Sequence, residues 1–160
     1  MRTEMIAECA IGILSLLVSS VSPALAVSPV NLEGVTVHLF LEASGEFSRD
    51  VASIPFEGRN SKPFGVGLPE NETFDSLLIK VAFSAPGEHY EPGVVATIRI
   101  LGKRTGKAFV NRTVRGLYVG PSGRTHVPVF VASRPCEPLT IEVRSGGQSI
   151  RKTLEFSCGE

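Results

Sequence analysis

Tryptophan is absent from this chain of 160 residues, tyrosine occurs twice and cysteine three times. Without tryptophan the usual aromatic floor for neutral sugars is missing, and Tyr90 and Tyr118 are the only tyrosines that could supply one. No CxxC pair exists, so dithiol redox centres and zinc ribbons lack their ligands. Histidine is equally sparse. His38, His89 and His126 stand far apart, none has a second ligand at metal-like spacing, and only His38 and His126 could meet, across two sheets. Glu70, Glu72 and Asp75 gather beside Asn71, but without the alternating spacing of a calcium loop.

The signatures of nucleotide and acyl chemistry fail in the same way. Gly102 and Gly106 are separated by three residues where a P-loop needs four, and no Ser or Thr follows Lys107. Gly65-Val66-Gly67 begins a dinucleotide fingerprint, yet Glu70 stands where the third glycine belongs. Ser122 lies in Gly-Pro-Ser-Gly, which is not a nucleophile elbow. The expectation is a non-enzymatic protein with no cofactor and no metal.

Long apolar runs are missing too. Residues 9–32 carry no charge, but the strongly apolar part is 9–18, half of the ~20 residues that a spanning helix requires. Ser19, Ser20, Ser22 and Pro23 break that run, and Ala24-Leu25-Ala26 forms a small-residue cleavage pattern. Together these features describe a secretory signal peptide over 1–26, although Glu4 and Glu8 offset Arg2 in its leading segment. The mature chain is then 27–160, a single domain without a transmembrane segment, exported to the periplasm or the cell exterior.

What is present is alternation. Val35, Val37, Leu39 and Leu41 share one face of an extended segment. The pattern recurs at Leu77, Ile79, Val81 and Phe83, at Val94, Ala96, Ile98 and Ile100, and at Val127, Val129 and Val131. It returns at Leu139, Ile141 and Val143, then at Ile150, Leu154 and Phe156. Period-two runs rich in β-branched residues and divided by Gly/Pro/Ser/Asn clusters are half-buried antiparallel strands. Weaker strands are expected at 50–56, where Pro55 suggests an edge, and at 107–118, while 57–76 reads as a long irregular loop. No segment after residue 26 has helical spacing. The fold class is all-β, a two-sheet antiparallel sandwich, immunoglobulin-like first, with a jelly roll or small barrel as alternatives.

Export permits a disulfide. A two-residue loop at Gly146-Gly147 would pair Leu139 with Leu154 and Val143 with Ile150. A four-residue loop over 146–149 would pair Leu139 with Phe156 and Ile141 with Leu154. Either register brings Cys136 within one residue of opposing Cys158, and closing that loop is worth roughly 3 kcal/mol.

Charge is balanced overall, 16 basic against 16 acidic residues, but it is not mixed. No acidic residue lies between Glu91 and Glu137, an interval holding Arg99, Lys103, Arg104, Lys107, Arg112, Arg115, Arg124 and Arg134. The preceding 27–91 is predominantly acidic. Cross-strand neutralisation between the halves is one explanation. The functional one is a basic hairpin of Lys103, Arg104 and Lys107, with Arg112, Arg115 and Arg124 as neighbours, aimed at an anionic glycan, a lipid head group or an acidic protein patch. Nucleic acid is a poorer partner, since export removes it and few aromatic residues adjoin the basic run. Asn71-Glu72-Thr73 and Asn111-Arg112-Thr113 are glycosylation sequons. The alternative function is an assembly component that pairs through an exposed strand edge.

Overall fold

The computed structural model describes residues 29–54, 56–59, 62–64, 71–132 and 136–158, without the side chains of 56–59, 62–64 and 156–158. The segment 1–26 and Arg134 lie outside the described residues. The described residues form ten strands, in order β1 (Asn31–Leu41), β2 (Phe56–Arg59), β3 (Lys62–Phe64), β4 (Phe74–Ser84) and β5 (His89–Gly102). Then come β6 (Ala108–Val119), β7 (Arg124–Val131), β8 (Leu139–Ser145), β9 (Gln148–Leu154) and β10 (Phe156–Cys158). No helix occurs among the described residues.

Period two places the strands' apolar rows on one side, and two antiparallel sheets bury those rows against each other. One has the order β1-β4-β7, the other β6-β5-β8-β9, consistent with a β-sandwich. Val37, Ile79, Val81 and Phe83 from the first meet Ala96, Ile98, Ile100, Ile141 and Val143 from the second in one fully buried core. Burying each such Val, Ile or Phe contributes ~1.5–3 kcal/mol. β1 and β9 adjoin along one side of the sandwich, β6 and β7 along the other.

The β8–β9 hairpin takes the two-residue register, with Leu139 opposite Leu154 and Val143 opposite Ile150. Gly146 and Gly147 both have positive φ (54° and 80°), as a primed turn that matches strand twist demands. The four-residue register is excluded because Phe156 leaves the hairpin and pairs in parallel with Phe56. β10, β2 and β3 thereby form a third, small sheet, which occupies part of the stretch expected to be an irregular loop.

Of the strand expected at 50–56, residues 50–54 form none, and Phe56 instead opens β2. Val51 and Ala52 are buried, but the segment turns along the outer edge of β1 and caps it with side chains. Val37 N–H donates to Asp50 Oδ1 (2.8 Å) and Leu39 N–H to Ser48 Oγ (2.9 Å). Ser48 and Val51 N–H donate back to the carbonyls of Leu39 and Val37. Further along, Leu32 N–H donates to Gln148 Oε1 (2.7 Å), and Lys152 Nζ donates to the Val35 carbonyl (3.2 Å). An open edge is thus closed without another strand.

Candidate functional site

The segment Gly102 to Lys107 links β5 to β6, and its conformation is set by one buried carboxylate. Glu137 Oε2 accepts from the N–H groups of Arg104 (2.9 Å) and Thr105 (3.0 Å), and Oε1 accepts from the Thr105 hydroxyl (2.5 Å). The Thr105 hydroxyl bond, then the two N–H bonds and the Arg104 charge, hold Glu137 below the usual carboxylate range against the opposing effect of burial. Gly102 is required here by close approach. A Cβ would collide with the Glu137 carboxylate and lie 2.6 Å from Thr105 Oγ1.

That anchoring occupies much of the basic hairpin. Lys103 pairs with Glu155 (2.7 Å), Arg104 Nη2 donates to the Cys136 carbonyl (2.6 Å), and Lys107 Nζ sits 5.5 Å from the Phe109 ring centroid. Arg112 donates over the sandwich edge to the Pro128 carbonyl (2.8 Å), and Arg124 of β7 pairs with Glu33 of β1 (3.3 Å) within the three-stranded sheet. The fold keeps Lys103, Arg104 and Lys107 together in one turn. It separates them from Arg112 and from Arg124, and brings Arg115 to a different surface.

That surface is the outer face of β6-β5-β8-β9. Register fixes its rows: Arg115 beside Val95; Thr113, Thr97, Arg144 and Ser149 in line; then Asn111, Arg99, Glu142 and Arg151. Neighbouring strands lie ~4.8 Å apart and successive outward residues ~6.7 Å apart. Four arginines therefore share a patch ~20 Å across its diagonal with one carboxylate. Glu142 lies between Arg99 and Arg151, 3.6 Å from each, and is largely shielded, with an 18% exposed side chain. Arg115 and Arg144 are exposed and have no carboxylate at salt-bridge distance among the described residues. Threonine, serine and asparagine fill the spaces between them.

At the β6 end this face continues into an aromatic pair. Tyr90 and Tyr118 are cross-strand partners, 62% and 55% exposed. Between them and the arginine rows the ladder is offset, Glu91 facing Leu117 but Val95 facing Arg115. Gly116, at φ +69°, takes up the offset, and the Tyr90 ring leans over it. A Cβ at residue 116 would lie 2.9 Å from Tyr90 Oη and 3.5 Å from two ring carbons. Tyr118 donates its hydroxyl to Glu88 Oε1, which raises its pKa above the ordinary phenol value because the bond favours the neutral form.

Sequence reasoning missed Arg144 and Arg151, which lie beyond Glu137, and named Tyr90 and Tyr118 without bringing them together. The signal for both was the strand order, which no linear window contains. His38 and His126 occupy opposite edges of one sheet with β4 between them, so they do not meet across sheets. His38 is held by the Ser48 carbonyl (2.7 Å) and Thr36 Oγ1 (3.0 Å). No cluster of three or more His, Cys, Asp or Glu suited to a metal occurs among the described residues. No described helix is long and apolar enough to cross a membrane. Cys136 directly precedes Glu137, and the β8–β9 register continued would set it opposite Ser157, one residue short of Cys158. The Cys158 side chain lies outside the described residues. No protein-family model matches the chain, and no curated protein matches it in sequence.

Proposed function

We propose that this protein is an exported, non-enzymatic binding module that takes an anionic polymer on the outer face of its four-stranded sheet. The observation that carries the reading is the shared projection of Arg99, Arg115, Arg144 and Arg151 from one flat surface, with Glu142 the one carboxylate in their rows. Arginine pairs with carboxylate, sulfate or phosphate bidentately, and rigid strands hold the forks at fixed spacing. Export is supported by the segment 1–26, and a Cys136–Cys158 disulfide would then staple the chain end. The order β1-β4-β7 against β6-β5-β8-β9 supports an immunoglobulin-like sandwich. The basic hairpin of Lys103, Arg104 and Lys107 is the weaker candidate, because each of its cations already has a partner within the fold.

Strand addition has less support. The β1 edge is filled by Ser48, Asp50, Gln148 and Lys152, and at the β7 edge Pro128 has no N–H to donate and its carbonyl accepts from Arg112.

The test is retention on a sulfated-polysaccharide resin under a salt gradient. The wild-type protein is expected to elute above physiological salt. R115A/R144A is expected to elute early, and a Lys103, Arg104, Lys107→Ala variant close to wild type. Early elution confined to the hairpin variant would move the site there. Flow-through of the wild type would refute the reading.

A further inference from the structure

Resting on the reading above, we infer that the polymer is an acidic polysaccharide, with sugar rings stacked on Tyr90 and Tyr118 and acid groups on the arginine rows. The face is not uniformly cationic. Its aromatic end carries a carboxylate of its own, Glu88, bonded to the Tyr118 hydroxyl. A polyanion of unbroken charge would meet that carboxylate there. A chain with hydroxyls on every unit and acid groups on some meets acceptors at one end and guanidinium donors at the other. Thr97, Thr113, Asn111 and Ser149 supply neutral hydrogen bonds along the way.

The pair is also prepared before any ligand arrives. Gly116 removes the side chain that would push Tyr90 off the strand, and Glu88 fixes Tyr118 through its hydroxyl. An exposed aromatic side chain tethered as Tyr118 is loses little freedom on binding, which is what a stacking platform needs. In a tryptophan-free chain these are the only two tyrosines, so both fall on one ribbon by strand pairing alone.

The same fact provides the readout, since tyrosine emission from this protein reports on Tyr90 and Tyr118 and nothing else. The purified protein is titrated with oligogalacturonate, with poly-L-glutamate as a polymer of carboxylates without sugar rings, and with anionic phospholipid vesicles. Oligogalacturonate is expected to change the emission and to bind the most tightly of the three. Y90A and Y118A are each expected to weaken that binding by about three- to tenfold, with Y90F retaining it. Their binding of poly-L-glutamate is expected to be unchanged, while R115A/R144A weakens both. Tyrosine variants that bind oligogalacturonate like the wild type, with R115A/R144A still impaired, would overturn the sugar assignment and leave the polyanion face standing. Preference for the vesicles or for poly-L-glutamate would overturn it as well. Binding untouched by R115A/R144A would overturn the underlying reading itself.

Discussion

Replacing Glu142 by Gln should strengthen polyanion binding, a gain that few substitutions on a binding face produce. Glu142 is the only carboxylate in the arginine rows, and it draws on both Arg99 and Arg151. A ligand anion seated one row away lies ~7 Å from it. The repulsion at that distance is ~0.6 kcal/mol in bulk water. Screening at physiological ionic strength, where the Debye length is ~8 Å, leaves about 0.3 kcal/mol. Two or three ligand charges within that range make the removal worth ~0.6–0.9 kcal/mol, about a three- to fivefold gain in affinity. The fold should tolerate the change, because both ion pairs are long and their arginines are 47% and 75% exposed, and such pairs contribute about 0–1 kcal/mol each. The assay is the salt concentration of elution from sulfated resin, with affinity for oligogalacturonate measured by calorimetry and the unfolding midpoint recorded in parallel. Unchanged or weaker binding by a folded E142Q protein would refute the claim that this face meets the anion.

Other perturbations test the scaffold. D50A strips the acceptor from the N–H groups of Val37 and Ala52, both buried, and should cost about 2 kcal/mol in urea unfolding; D50N keeps a carbonyl at Oδ1, the atom that makes both bonds, and should cost much less. Because the pKa of Glu137 is lowered on folding, its charge stabilises the fold fully above the ordinary glutamate range and loses that effect as pH falls through the lowered value. Wild type should therefore be more stable than E137Q at neutral pH, with the difference in unfolding midpoint closing in acid. F83A empties a fully buried site and should cost about 3–5 kcal/mol, measured by thermal or urea unfolding.

The alternation of apolar residues reveals six of the seven long strands because each has a buried apolar row, and a period of two is the only spacing that keeps a face; β6, exposed along most of its length, shows only as the weaker segment 107–118. It cannot reveal how those strands are ordered. Arg99 lies beside Glu142 because β5 pairs with β8, a relation between residues far apart in the chain. A linear charge window therefore captures Arg99 and Arg115 but stops at Glu137, short of Arg144 and Arg151. The same window groups Arg124 with Arg112 although they belong to different sheets. The segment 50–56 misleads for another reason: Val51 and Ala52 are buried like strand residues, while Ser48 and Asp50 replace backbone pairing with side-chain acceptors. Between the two β8–β9 registers the apolar pattern is indifferent, since Leu139 meets an apolar partner in both. The choice falls to the paired glycines and to the departure of Phe156 into the small sheet.

The most direct measurement of the central claim is chemical-shift mapping of backbone and arginine side-chain resonances during titration with oligogalacturonate. The account predicts shifts at Thr97, Thr113, Arg115, Arg144 and Ser149, extending to Tyr90 and Tyr118, and fading as salt is raised. Shifts confined to the turn containing Lys103, Arg104 and Lys107, or to the outer face of β1, β4 and β7, would contradict it.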